Sequence, residues 1–279
     1  MVKTMTVKEL YEKGIAHLAD TESPKTDARA ILEHLLGAEF GKLPLYYYNS
    51  AQQIQEEYVR LLEERKQNKP LSYITGKKEF FSREFNVREG VLIPRPETEN
   101  LVSAVLERLP EKSVKIADLC SGSGCIGITL SLESGNEVDL YELSSHAILV
   151  SKENAEKLGA EKVTVYERDI LLETPNQMYD VMVSNPPYIP LEDMELLMPD
   201  VKDYEPKMAL TDGGDGLVFY KRIAQLGETH LADGGILAVE VGINQHNLVA
   251  DIFCSLGKPE IISDYFGVER VVLVKKGVF

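Results

Sequence analysis

The run Asp118-Leu119-Cys120-Ser121-Gly122-Ser123-Gly124-Cys125-Ile126-Gly127 limits what this chain can become more than any other stretch. Residues 114–119 are a short apolar segment, and the loop runs from it into a helix. Strand, glycine loop and helix together open a βαβ unit. Gly122 and Gly124 let the backbone turn tightly and let a ligand approach without a Cβ in the way. Downstream, strand patterns recur at 137–141, 163–166, 180–184, 235–240, 260–263 and 269–275, with helical patterns separating the first five. That alternation predicts a mostly parallel sheet covered on both faces. The last two segments are too close for a helical crossover, so the final strand is expected to run antiparallel.

Upstream the pattern is helical. Thr6 and Glu9 fit a capping box, Ser23-Pro24 suits the start of a second helix, Gly37 suits its end, and Ser50 is the candidate cap of a third. Phe80, Phe81, Phe85 and Val87 suggest a hairpin, followed by the stiff segment Ile93-Pro94-Arg95-Pro96-Glu97-Thr98-Glu99. The expected organisation is a helical domain over 1–73, a β-hairpin linker over 74–95 and an α/β domain over 96–279. Residues 189–204 are expected to form a long polar-acidic loop.

The glycine loop admits more than one ligand. Gly122-x-Gly124-x-x-Gly127 matches the dinucleotide fingerprint, so an NAD-dependent oxidoreductase is one reading. A pyrophosphate, however, wants the helix N-terminus free of nearby negative charge. Asp118 stands just before the glycines, where a carboxylate favours a cation. S-adenosylmethionine carries an α-ammonium and a sulfonium and no phosphate, so the acid favours it. Glu142, at the end of the next strand, suits two ribose hydroxyls. Asp169 and Ile170, past the third, suit the edge and face of an adenine.

The second chemical signature is Asn185-Pro186-Pro187-Tyr188, directly after a buried strand. Consecutive prolines fix φ near −65° and donate no hydrogen bonds, and the residue before each is held out of the helical region. The outcome is a rigid elbow with outward carbonyls, an Asn amide and an aromatic ring, suited to gripping a planar –NH2 group. Alone it does not distinguish an adenine amine from a glutamine amide. The formal net charge of −15 argues against nucleic acid, whose binders need a basic footprint. Three cysteines and five scattered histidines make neither a disulfide framework nor a metal site. No run is long enough to span a membrane, and the N-terminus lacks a signal-peptide core. A cytoplasmic monomer is expected.

These residues together resemble the class I S-adenosylmethionine-dependent methyltransferases. More narrowly they resemble the HemK/PrmC family of peptide chain release factor N5-glutamine methyltransferases. The resemblance extends to Tyr73-Ile74-Thr75-Gly76, Glu205-Pro206, Gly213-Gly214-Asp215-Gly216-Leu217 and Glu240-Val241-Gly242 with Gln245. It implies a Rossmann-like, seven-stranded sheet with one antiparallel strand, a small N-terminal helical domain that recognises substrate, and a linking hairpin. It implies methyl transfer from S-adenosylmethionine, leaving S-adenosylhomocysteine, to the glutamine of a Gly-Gly-Gln motif in class 1 release factors during translation termination. Cofactor contacts are then expected from Asp118, Cys120, Ser121, Gly122, Ser123, Gly124, Glu142, Asp169, Ile170 and Asn185. Asn185, Pro186 and Tyr188 are the expected catalytic residues, and with Pro187 they bind substrate; no metal is expected. Related ribosomal-protein glutamine methyltransferases usually carry Pro-Arg-Ser-Pro where this chain has Pro94-Arg95-Pro96-Glu97, and an adenine N6 methyltransferase on nucleic acid, whose elbow can hold an exocyclic amine in the same way, is the alternative from the same chemistry. The chain departs from the family in having Cys120 where many relatives have Gly, and Glu142 where Asp is usual.

Overall fold

The computed structural model describes residues 5–279, which divide into two compact units. One comprises the chain up to Lys77 together with Met198–Tyr204; the other comprises Lys78–Leu197 and Glu205–Phe279.

The first unit is built from α1 (Val7–His17), α2 (Pro24–Leu36), α3 (Gln55–Lys66) and α4 (Leu71–Thr75). Thr6 and Glu9 form the reciprocal capping box, and Gly37 closes α2 at φ +59°. Leu10, Ile31, Leu32, Tyr58 and Leu62 meet in its core. The buried Tyr58 hydroxyl donates to the Ala28 carbonyl at 3.1 Å. Ser50 does not cap α3, which starts after Ile54 without a side-chain cap; it pairs instead in a β-bridge with Thr6.

A hairpin of β1 (Lys77–Phe80) and β2 (Arg83–Asn86) follows, all of it but Lys77 in the second unit. Phe81 and Ser82 both take positive φ, +50° and +58°, the geometry of a two-residue hairpin turn that matches strand twist. After α5 (Glu99–Leu106), strand and helix alternate: β3 (Lys115–Leu119), α6 (Cys125–Ser134), β4 (Glu137–Glu142), α7 (Ser145–Leu158) and β5 (Val163–Glu167). Then come β6 (Tyr179–Ser184), α8 (Pro199–Tyr204, of the first unit), α9 (Lys207–Leu210), α10 (Val218–His230), β7 (Leu231–Glu240), α11 (His246–Phe253), β8 (Pro259–Ser263) and β9 (Glu269–Lys275).

The sheet order is β5-β4-β3-β6-β7-β9-β8, with β9 antiparallel to both neighbours and every other pairing parallel. Alternate residues face opposite layers, as period-2 geometry requires. Val181, Val183 and Ala238 pack under α5 and α6, while Met182, Leu237 and Val239 pack under α10 and α11. Three expectations need correction. No helix separates β5 from β6; residues 168–178 cross as irregular chain. The fifth strand of the α/β region begins at Leu231, not at 235, and accommodates the extra residues by a register shift between Tyr179 and Val181. Residues 189–204 are partly helical, with a 3-10 turn at Leu191–Leu196 followed by α8. Strand order reverses at β3 and β6, so the crevice beyond their C-terminal ends is where such a sheet binds ligands.

Candidate active site

Both signature sequences reach that crevice. The chain leaves β3 through Cys120 at φ +59°, Gly122 at +55° and Gly124 at +80°. Cys120 therefore holds a left-handed conformation that glycine adopts without a Cβ clash. A Cβ on Gly122 would meet nothing within 4 Å, whereas one on Gly124 or Gly127 would strike Ile128 or Leu140. Gly122 is thus small toward open space, and the other two are small for packing. Asn154, fully buried, donates to the carbonyls of Ser123 and Asn86, tying the loop to the hairpin.

A concave, mostly apolar cleft lies beside this loop, the shape expected of a small-molecule site. Cys120, Gly122, Glu142, Asp169, Ile170, Asn185 and Pro187 line it, as do Leu143, Met208 and Phe219. Asp118, Ser121, Ser123, Gly124, Pro186 and Tyr188 do not line it. Asp118 is fully buried: its Oδ2 accepts the Gly127 N–H at 2.9 Å and its Oδ1 has no partner. Burial pushes the Asp118 carboxyl up to about 8, opposed by the Gly127 bond. Glu142 takes the N–H groups of Gly122 at 2.8 Å, Leu143 at 2.9 Å and Ser144 at 2.8 Å. Burial raises its carboxyl pKa despite those bonds. Burial also pushes the Cys120 thiol well up, aided by Glu142 and Asp118, so it is no thiolate nucleophile.

The lining fits S-adenosylmethionine better than a dinucleotide. Glu142 and Asp169 offer hydroxyl acceptors, and Ile170, Leu143 and Phe219 offer apolar faces for a base. A pyrophosphate would face the carboxylates instead, and the Gly127 N–H at the start of α6 is already taken by Asp118. Arg168, the cation in the lining, donates to the Thr174 carbonyl at 2.5 Å. Among the described residues, no cluster of three His, Cys, Asp or Glu side chains could hold a metal.

At the elbow, the Ser184 hydroxyl donates to the Leu119 carbonyl at 2.6 Å, locking the ends of β6 and β3 together. The Asn185 Nδ2 donates to Thr98 Oγ1 at 3.2 Å, and Thr98 donates to Glu240 Oε2 at 2.5 Å. The Tyr188 hydroxyl donates to Glu240 Oε1 at 3.2 Å. Gln245 Nε2 donates to the Tyr188 carbonyl at 2.8 Å. Gly216, at φ +78°, lets that carbonyl pass: a Cβ there would sit 2.2 Å from it. Thr98 and Glu240 are each 2% exposed. Burial raises the Glu240 carboxyl pKa, while the Thr98 and Tyr188 bonds and the Arg270 charge oppose it. Burial and Glu240 keep Tyr188 a neutral phenol. Thr98, Glu240 and Gln245 lie in segments marked by the sequence resemblance, yet nothing in their local pattern assigned them a role.

Comparison with known proteins agrees with this geometry. Residues 9–76 match the family model described as PrmC N-terminal domain, and residues 98–214 match the Methyltransferase small domain. A release factor glutamine methyltransferase of Clostridium acetobutylicum is 37% identical, covering 98% of this chain and 99% of its own. One from Bacillus cereus is 39% identical over 97% and 99%. A solved Pyrococcus furiosus methyltransferase shares the fold, with a TM-score of 0.55 at 15% identity over 72% of this chain and 92% of that one.

Proposed function

The chain belongs to the release factor glutamine methyltransferase family, and we propose that its Asn185-Pro186-Pro187-Tyr188 elbow holds the substrate glutamine. It is an S-adenosylmethionine-dependent protein glutamine methyltransferase whose substrates are release factors. The finer target is the side-chain amide nitrogen of the Gly-Gly-Gln motif in class 1 release factors. Residues 1–73 recognise that substrate, and the enzyme works as a cytoplasmic monomer without binding nucleic acid.

When bound, S-adenosylmethionine supplies a methyl group on a sulfonium. Glu142 and Asp169 accept hydrogen bonds from its hydroxyl and base edges, while Cys120, Gly122 and Ile170 pack around it. The task left to the protein is orientation, because a carboxamide nitrogen is a weak nucleophile with a delocalised lone pair. Asn185 Oδ1 and the Pro186 carbonyl accept the two N–H bonds of the substrate amide and hold its nitrogen in line with the methyl. The same acceptors stabilise positive charge developing on nitrogen. Tyr188, anchored on Glu240, keeps the elbow closed to water.

One observation carries this reading. Asn185 lines the cleft with its donor already engaged by Thr98. Among the described residues, nothing donates to the Pro186 carbonyl. Asn185 Oδ1 is therefore left to accept from an –NH2 group at the cleft, and in this reading the second N–H goes to the unengaged Pro186 carbonyl beside it. Mass spectrometry of a release factor incubated with enzyme and S-adenosylmethionine tests it. One added methyl on the glutamine of the Gly-Gly-Gln peptide is expected; methylation elsewhere, or of none, would refute it.

A further inference from the structure

We propose that Thr98 and Glu240 are positioning residues that decide which end of the Asn185 amide meets the substrate. This deepens the reading above and rests on it. The two ends of an Asn amide are close in size and opposite in hydrogen bonding. Rotated by half a turn, Asn185 would present –NH2 to the substrate's –NH2, and neither could accept. Something must set the rotation, and the elbow's prolines act only on the backbone.

The network on the buried side sets it. Thr98 has a single hydroxyl proton, and at 2.5 Å it goes to Glu240 Oε2. Having donated, Thr98 Oγ1 can only accept from Asn185, 3.2 Å away. The group facing Thr98 is then the Nδ2, and Oδ1 faces outward. Tyr188 gives its one proton to the other Glu240 oxygen at 3.2 Å. Both carboxylate oxygens thus receive donors, and the chain of donation runs one way, from Asn185 through Thr98 into Glu240. Burial makes each link strict, because an unmatched donor or acceptor has no water to turn to.

The segments that converge here are far apart in sequence. Thr98 belongs to the 3-10 turn Pro96–Thr98, and Glu240 ends β7, which pairs with β6 up to Ser184 and Val239, the residues just before Asn185 and Glu240. Two stretches that the sequence marked without a task, 93–99 and 240–242, therefore act on one amide.

The test compares the full-length enzyme with Thr98→Val, Thr98→Ser, Glu240→Gln and Asn185→Ala. Each is assayed for methylation of a release factor, for S-adenosylhomocysteine affinity by calorimetry, and for melting temperature. Thr98→Val keeps the side chain's shape and removes the hydroxyl. It should lower kcat about thirtyfold with cofactor affinity within about twofold of wild type, the signature of lost transition-state alignment. Thr98→Ser should restore at least about half of kcat, since it keeps the hydroxyl. Glu240→Gln places –NH2 where one oxygen stands, so Thr98 or Tyr188 must reverse its donation; kcat should fall about tenfold. The proposal is overturned if Thr98→Val stays within about twofold of wild-type kcat. It is equally overturned if Thr98→Ser is as poor as Thr98→Val, or if cofactor affinity falls in step with kcat. Full activity in Asn185→Ala would sink both this proposal and the substrate-holding reading. An inactive Asn185→Ala beside an active Thr98→Val would sink this proposal alone.

Discussion

The two sides of the cleft are built by opposite means. On the glycine-loop side, shape comes from the backbone: three alternate positions, Cys120, Gly122 and Gly124, take positive φ, and Glu142 is held by three backbone N–H groups. On the elbow side, prolines fix the backbone and side chains from distant segments do the aiming: Thr98, Glu240 and Gln245. A loop governed by φ is local and tolerates change in its neighbours. An elbow governed by a buried hydrogen-bond network depends on every member being satisfied. Substitutions should therefore divide: on the elbow side they should disturb structure and turnover together, and on the loop side they should act on ligand affinity or on backbone strain.

Gly216→Ala tests the elbow side most severely. Its Cβ would sit 2.2 Å from the Tyr188 carbonyl at a φ of +78°. A loss of about 3 kcal/mol or more in denaturant melts is expected, with turnover falling alongside. A variant as stable as wild type would show that the elbow is not so tightly seated.

Asp118→Asn probes the buried acid behind the loop. With its pKa pushed up to about 8 in the fold and about 3.9 unfolded, Asp118 keeps a proton in the native state that the unfolded chain has released. Stability thus falls as pH rises from about 4 to about 8, and this contribution is flat outside that window. The Asn variant lacks this titration. From pH 5 to 8 it should gain on wild type by up to about 1.4 kcal/mol per pH unit. A stability difference independent of pH would contradict the assignment.

Gly122→Ala and Cys120→Gly sharpen the loop side. Gly122→Ala meets no neighbour but takes a φ of +55°, which costs about 1 kcal/mol. Its methyl points into open space at the cleft, so S-adenosylhomocysteine affinity should drop about tenfold by calorimetry, a change of about 1.4 kcal/mol. Cys120→Gly relieves the φ of +59° and should change stability least, by a gain of about 0.5 kcal/mol, with unfolded-state entropy offsetting part of the relief. A clear loss there would mean that the thiol packs more usefully than its backbone geometry indicates.

The same contrast explains what could be read from sequence. The glycine loop, the strand before it and the antiparallel last strand were legible because each depends on neighbouring residues. Only five residues separate β8 from β9, too few for a crossover. The irregular crossing at 168–178 was misread as helical because its apolar residues, Ile170, Leu171 and Leu172, fall close together; Ile170 and Leu171 line the cleft while Leu172 is exposed. The sequence marks Asp118 as a strand-end carboxylate that meets a cation of the cofactor, but β3 lies in the middle of the sheet and Asp118 is fully buried behind the loop, where no local pattern could place it. Thr98 and Glu240 were unreadable as partners: 87 residues separate Asn185 from Thr98, and 142 separate Thr98 from Glu240. No local pattern carries such a pairing.

The central claim is that Asn185 holds the substrate amide and leaves cofactor binding to the other side of the cleft. Single-turnover transfer from S-adenosylmethionine to a release factor, measured beside S-adenosylhomocysteine affinity in Asn185→Ala, tests it most directly. The expected result is methyl transfer reduced by about a thousandfold or more, with affinity unchanged within about twofold. Transfer at a rate close to wild type, or a loss of affinity that accounts for the lost transfer, would contradict it.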